Sequence, residues 1–237
     1  MDQALRMTLL QMVQDQLRRE ASPKQAARTR RFFTENPPIL GTPSGLSEQL
    51  GKELSLQVRR AGELADAVWL AGQLFSSGYM EEGACSNALL EPFHKRFSLA
   101  DWPLFDNWLD DFTCWSTTDS FCLKVAAHVV LRSDSPVDWL MRWAQADLIW
   151  KRRACLVSLI RCVCVTREVD LALTLCDALL ADEQALVQKA IGWLLKELCK
   201  GDQAATERYL QTRAAHLRRS IVSYAREGFK TERSSAS

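Results

Sequence analysis

A tryptophan and a carboxylate lie one helical turn apart in the segment TCWSTTDSFCLKVAAHVVL, residues 113–131. A helical projection predicts that four residues share one wedge about 60° wide: Trp115, Asp119, Cys122 and Ala126. A fixed carboxylate beside an indole face can stabilise positive charge that develops during a reaction. The pattern alone is more typical of a core tryptophan next to a solvated acid, so both interpretations stay open.

Two later segments carry cations at helical spacing. The segment IWKRRACLVSLIR contains four of them: Lys151, Arg152, Arg153 and Arg161. Guanidinium groups can bind phosphates through two parallel hydrogen bonds. In VQKAIGWLLKELCK, one stripe about 60° wide holds three lysines around an indole: Lys189, Trp193, Lys196 and Lys200. This stripe suits a sugar-phosphate backbone, although long aliphatic stems that cover a core would give the same pattern.

Charge is distributed unevenly along the 237 residues, although the formal net charge is only +1. Residues 99–150 hold 3 basic and 8 acidic side chains, whereas residues 151–237 hold 15 and 10. The near-neutral total argues against a protein that coats nucleic acid indiscriminately. The basic final third predicts a localised contact with an anionic partner instead.

Apolar residues recur at helical spacing almost throughout, and no alternating strand pattern is flanked by hairpin turns. Breaks such as Ser22-Pro23 and Ser135-Pro136 divide the chain into helices of mostly 12 to 18 residues. The resulting prediction is an all-α fold, a curved HEAT-like repeat solenoid of antiparallel helix pairs, with an irregular helical bundle as the alternative. No linker interrupts it, which predicts one domain over residues 1–237 with residues 234–237 frayed.

Several classes of function lack their sequence signals. The chain has no glycine-rich phosphate loop, no G-x-S-x-G elbow and no H-E-x-x-H motif, and no cofactor is expected. Its eight cysteines include no pair of close clusters, so no metal site is expected and the thiols are predicted to be unpaired core residues. No export signal or membrane-spanning run is visible, which favours the cytosol.

Three local motifs resemble the AlkD-like DNA alkylation repair family of HEAT-repeat glycosylases: Trp115-Ser-Thr-Thr-Asp119, Ile149-Trp-Lys-Arg-Arg153-Ala-Cys and Gln188-Lys-Ala-Ile-Gly-Trp193. The resemblance implies that Asp119 is the catalytic carboxylate and that Trp115 and Trp193 pack on the deoxyribose of the damaged nucleotide. It also implies phosphate contacts at Arg153 and Arg161, and a lesion that stays stacked in the duplex. The other cations of these helices are candidate DNA contacts: Arg152, Lys189, Lys196 and Lys200.

The sequence therefore predicts a DNA glycosylase that excises cationic N3- and N7-alkylated purines from duplex DNA. We expect it to act as a monomer, without a metal, a cofactor or a membrane, in a bacterial cytosol or nucleoid. Two alternatives use the same features differently. A noncatalytic binder of DNA structures would need the cationic helices but not Asp119, and a protein-binding HEAT scaffold would bind a partner helix on its concave face.

Overall fold

The computed structural model describes residues 1–165 and 169–229, and throughout these residues the secondary structure is helical, with no strand. The predicted all-α class is confirmed. The prediction that residues 234–237 fray falls outside the described residues. None of the helices described has the length and apolar character needed to cross a bilayer.

The chain forms two compact units, Met1–Arg132 and Ser133–Ser237. The single domain expected over residues 1–237 stays a prediction. The first unit contains these helices: α1 Gln3–Arg19, α2 Pro23–Arg30, α3 Leu46–Ala61, α4 Leu64–Phe75, α5 Met80–Leu90, α6 Trp102–Asp110, α7 Trp115–Phe121 and α8 Ala127–Leu131. Two 3₁₀ turns, Glu91–Arg96 and Leu99–Asp101, join α5 to α6, and a π-helical turn, Cys122–Ala126, joins α7 to α8.

The second unit contains the remaining helices: α9 Val137–Ala144, α10 Ile149–Val157, α11 Ile160–Val165, α12 Val169–Ala178, α13 Ala185–Gly201, α14 Gln203–Thr212 and α15 Arg219–Arg226. Helix α13 is its centre, since α10, α11, α14 and α15 all pack on it. A Cβ at Gly192 would lie 3.0 Å from Cβ of Tyr224, so the glycine allows α15 to approach α13 closely. Helix α13 ends at Gly201.

Aromatic rings fill the core of the first unit. Phe75, Phe105 and Phe121 are almost completely buried. The centroids of Phe105 and Phe121 are 5.2 Å apart with the ring planes at 81°, and Phe75 lies 4.8 Å from Phe112. The edge-to-face contact of Phe105 with Phe121 stabilises beyond simple burial of area. Because Phe121 is the last residue of α7, this cluster fixes the inner end of that helix.

Helix α5 carries buried polar side chains that bind neighbouring backbone. The Glu81 carboxylate is 3% exposed and accepts hydrogen bonds from the N–H groups of Leu40 (3.0 Å) and Gly41 (2.7 Å). Asn87 is fully buried and donates to the Thr117 carbonyl of α7, 3.1 Å away. Since buried polar groups are costly without partners, these bonds fix the loop before α3 and the first turn of α7 against the same helix.

Glu82, the neighbour of Glu81, is fully buried and binds α1. Its carboxylate accepts from Gln14 (2.9 Å) and pairs with the guanidinium of Arg18 (3.4 Å). Gly83 allows α7 to lie close to α5, because a Cβ at this position would be 2.8 Å from the Thr117 hydroxyl. Helix α5 thus contacts α1, α7 and the loop before α3 through consecutive residues.

We predict that Glu81→Ala lowers the free energy of unfolding by about 2–4 kcal/mol, because two buried N–H groups lose a charged acceptor. The measurement is chemical denaturation monitored by circular dichroism. Glu53→Ala is the matched control, since Glu53 is exposed on α3 and accepts a hydrogen bond from the neighbouring Gln49, and we expect a change within about 0.5 kcal/mol. Similar losses for the two variants would contradict the assigned role of Glu81.

Candidate functional site

Trp115 and Asp119 both lie on α7, one turn apart as the spacing predicts. The Trp115 ring is half-buried, so part of the indole is accessible. Asp119 is only 8% exposed, so its side chain lies in a poorly solvated place. A carboxylate held in a poorly solvated place attracts a nearby positive charge more strongly than one in bulk water.

The segment after α2 contributes two side chains to Trp115. The Phe33 ring stacks on the indole with centroids 5.2 Å apart and planes at 25°. The Glu35 carboxylate accepts a hydrogen bond from the Trp115 backbone N–H at 3.1 Å. This bond satisfies one of the free N–H groups at the start of α7 and places a negative charge at the positive end of the helix. Contacts to both the ring and the backbone of Trp115 therefore fix its position.

The turn that follows Glu35 has an unusual backbone. Asn36 has φ = +52°, the left-handed conformation that asparagine tolerates better than most residues. Pro37 then fixes the next φ and is buried. The contacts of Phe33 and Glu35 with Trp115 were not predicted from the sequence, because a separation of about 80 residues gives no local signal. The adjacent aromatic pair before Asn36-Pro37 is the one sequence feature that points to this segment.

The projected wedge is partly wrong, because the segment is not a regular α-helix. The amide of Ala127 bonds to the carbonyl of Cys122, which is the i to i+5 pattern of a π turn. The extra residue in this turn rotates the following side chains away from the α-helical projection. Cys122 and Ala126 are completely buried, whereas Trp115 is half-buried. The accessible site is thus limited to the part of α7 before the π turn.

Arg152, a predicted DNA contact, forms an ion pair and hydrogen bonds within the second unit. Its Nε is 2.6 Å from the Asp182 carboxylate, and a terminal nitrogen donates to the Ala146 carbonyl at 2.9 Å and to the Asp147 carbonyl. The side chains of the pair are 17% and 6% exposed. These contacts join the loop before α10 to the turn before α13. We therefore assign Arg152 a structural role.

The segment expected to carry Arg153 and Arg161 on one helix is divided into α10 and α11. A turn at Ser158 and Leu159 separates them, where the Leu159 amide bonds to Leu156 with 3₁₀ spacing. Arg153 is 5% exposed and donates to the Leu186 carbonyl of α13, whereas Arg161 is exposed. On a single helix, a spacing of eight residues would place Arg153 and Arg161 on one side, but here they lie on two helices, and of the two Arg161 is the exposed one.

The lysine stripe of α13 has an open end, where the lysine has no carboxylate partner among the described residues, and a neutralised end, where the lysines pair with carboxylates. Lys189 is exposed and Trp193 is half-buried, and neither side chain makes a hydrogen bond or an ion pair with the rest of the described chain. Lys196 pairs with Glu227 at 2.7 Å and lies over the Tyr224 ring at 4.9 Å, and the bond to Glu227 raises its pKa. Lys200 pairs with Glu197 at 2.6 Å. The open end is the better contact for an anion.

The predicted residues thus separate into two groups. Trp115 and Asp119 belong to the first unit, whereas the cations and Trp193 belong to the second. Seven of the eight cysteines are buried, as predicted, and Cys164 is exposed. In residues 1–165 and 169–229, no three His, Cys, Asp or Glu side chains are grouped so that they could hold a metal ion.

One family model matches most of the chain. The family described as DNA alkylation repair enzyme matches residues 13–229, which include both groups of candidate residues. No curated protein matches the chain. A solved structure described as a predicted DNA alkylation repair enzyme from Enterococcus faecalis is similar, with a TM-score of 0.73 and 18% identity. The alignment covers 92% of this chain and 98% of that one, so the two share a fold.

The internal contacts of Arg152 lead to a stability prediction. Arg152→Ala leaves the nearly buried Asp182 carboxylate without its partner, and we expect the free energy of unfolding to fall by about 3 kcal/mol. Lys189→Ala, which removes an exposed cation, should change it by less than about 0.5 kcal/mol. Thermal and urea unfolding measure both variants. A stable Arg152→Ala protein would argue against the structural role.

Proposed function

Since this chain belongs to the DNA alkylation repair enzyme family, we propose that it is a DNA glycosylase that excises cationic N3- and N7-alkylated purines from duplex DNA. The observation that carries the proposal is the pair on α7, a half-buried indole one turn before an 8% exposed carboxylate. The family match covers this pair. The pair has the chemical groups that such a cleavage needs, and no metal or cofactor is required.

The reaction is a hydrolysis of the bond between C1′ of the deoxyribose and the purine nitrogen. Alkylation at N3 or N7 makes the purine cationic, so the base leaves as a neutral molecule with the bonding electrons. Positive charge then develops on the sugar, as in glycoside cleavage. Water adds its oxygen to C1′, and its proton passes to a carboxylate or to solvent. The barrier is lowered by groups that stabilise the sugar cation.

Asp119 is proposed to supply this stabilisation. Its carboxylate would lie near C1′, where it attracts the developing charge and can orient the attacking water. Trp115 would pack its accessible face on the deoxyribose and add a cation–π attraction. Phe33 and Glu35 are proposed to act only on Trp115, by holding its ring and backbone in place.

The second unit is proposed to bind the DNA backbone through its exposed cations. Lys189 and Arg161 are exposed, and Trp193 offers a half-buried indole for contact with a sugar. The paired cations Lys196 and Lys200 can exchange their carboxylate partners for phosphates at little cost, because exposed ion pairs are weak. Arg152 and Arg153 are left out, since their guanidinium groups make internal contacts.

We further propose that the damaged base stays stacked in the duplex. A carboxylate that acts on the sugar does not need to reach the Watson–Crick edge of the base, and base flipping serves enzymes that do. A noncatalytic binder of DNA structures is the second candidate function, and the exposed Lys189 and Arg161 favour it equally. A protein-binding scaffold is the third, and it predicts no salt-dependent affinity for DNA.

The experiment compares Asp119→Asn with the parent protein on a duplex that contains one N7-methylguanine. The substitution removes the charge and nearly preserves the shape, so we expect the single-turnover excision rate to fall by about 10²–10³-fold. The affinity for the duplex and the melting temperature should be almost unchanged.

Asp134→Asn is the matched control, because Asp134 is an exposed aspartate outside α7. It should excise at the parental rate. Equal rates for Asp119→Asn and the parent would reject the catalytic assignment. Salt-dependent DNA binding with no excision by the parent protein would favour the noncatalytic binder.

A further inference from the structure

One side of α2 is cationic and open to solvent. Lys24, Arg28 and Arg31 are spaced i, i+4 and i+7, which places them within about 60° of one another on a helix. All three are exposed, and across the described residues none of their side chains makes a hydrogen bond or an ion pair. The opposite side holds Ala26, which is buried, so α2 presents this cationic stripe outwards.

The composition around α2 is strongly one-sided. Residues 18–31 hold six basic side chains and one acidic one, in a chain whose formal net charge is +1. Solvated helix surfaces usually mix both signs, because like charges four residues apart destabilise a helix. Lys24 is also in the first turn of α2, next to the positive end of the helix dipole, and no acid accompanies it there. Lys24 and its repulsion with Arg28 at i, i+4 therefore oppose helix stability, which favours a role in binding, whereas Arg28 itself suits the negative end of the dipole.

The position of α2 is fixed by the same helix that fixes α7. Gly41, with φ = +79°, packs against the first turn of α2, and a Cβ there would be 2.3 Å from the Ala26 nitrogen. The Gly41 amide is held in turn by Glu81 of α5. Helix α5 also binds α7 through Asn87. Both helices are thus connected to α5 through buried hydrogen bonds.

The far end of α2 leads directly to the candidate site. Arg31 follows the last residue of α2, and Phe33 two residues later stacks on Trp115. The stripe and the Trp115–Asp119 pair therefore lie in the same compact unit. Residues 31–35 run from the end of the stripe to Trp115, which they contact through the Phe33 stack and the Glu35 hydrogen bond.

We propose that the cationic stripe of α2, formed by Lys24, Arg28 and Arg31, binds the sugar-phosphate backbone of duplex DNA next to the nucleotide at Asp119. This proposal rests on the proposed function, because it takes DNA as the ligand of the α7 site. Arginine guanidinium groups bind phosphates bidentately, and lysine binds them as a point charge. A membrane surface fits less well, because α2 has no apolar side chain that could insert between lipids.

The test replaces the three residues together by glutamine, which keeps the length and helix propensity of the side chains. We measure the affinity for an undamaged duplex between 50 and 300 mM salt, by fluorescence anisotropy. Each phosphate contact contributes about 0.9 to the slope of log affinity against log salt, so three contacts predict a slope smaller by about 2.7.

The matched control carries Lys52→Gln, Arg59→Gln and Arg60→Gln on α3, three exposed cations of the same unit. It changes the net charge equally and should leave the slope within about 0.9 of the parent value. Equal slopes for the α2 variant and the parent would overturn the proposal, and so would an equal decrease in both variants. Loss of binding to phosphatidylserine vesicles with an unchanged DNA slope would also overturn it, in favour of a membrane contact.

These outcomes are independent of excision. Suppose that the parent protein binds DNA without excising any lesion and that the salt slope is reduced only in the α2 variant. This result would reject the proposed glycosylase activity and support DNA binding by the stripe. If the parent protein excises the lesion but the salt slope is unchanged in the α2 variant, the glycosylase proposal is supported and DNA binding by the stripe is rejected. Circular dichroism of all variants verifies that they are folded.

Discussion

The buried hydrogen bonds of α5 constrain where the chemically useful residues of the first unit lie. Glu81, Glu82 and Asn87 would each be costly inside the protein without partners, and each binds a different neighbour. Glu81 holds the loop that packs on α2, Glu82 holds α1, and Asn87 holds the first turn of α7. Because the side chains come from one helix, a displacement of α5 would move Trp115, Asp119 and the α2 stripe together. Rigid elements of this kind favour the precise positioning that electrostatic catalysis needs.

The sequence predicts the features whose cause is local. The one-turn separation of Trp115 and Asp119 and the all-α class follow from helical periodicity. The π turn after α7 was missed, since one extra residue in a turn leaves no compositional signal. The burial of Arg153 and the ion pair of Arg152 were also missed, because both depend on partners about 30 residues away. Spacing identifies which cations share a helix but not which of them remain free.

Under the proposed function, the distinction between paired and exposed cations accounts for how a chain with a net charge of +1 would bind a polyanion. Affinity for DNA depends on the phosphates that are neutralised at the interface and much less on the total charge. Lys196 and Lys200 have carboxylate partners, whereas Lys189, Lys24 and Arg28 project into solvent. If the proposed function holds, a limited number of such contacts suits the search for rare lesions, because tight binding to undamaged DNA would slow the search.

The most direct measurement of the central claim is base release by the parent protein from matched duplexes that differ only in the lesion. If catalysis stabilises positive charge at the sugar, the charge of the lesion should matter more than the size of its alkyl group. We expect release of N3-methyladenine, N7-methylguanine and bulkier N7-alkylguanines, and very little release of uracil or hypoxanthine. Comparable rates for hypoxanthine and N7-methylguanine would contradict the proposed mechanism, and no release of any lesion would contradict the glycosylase itself.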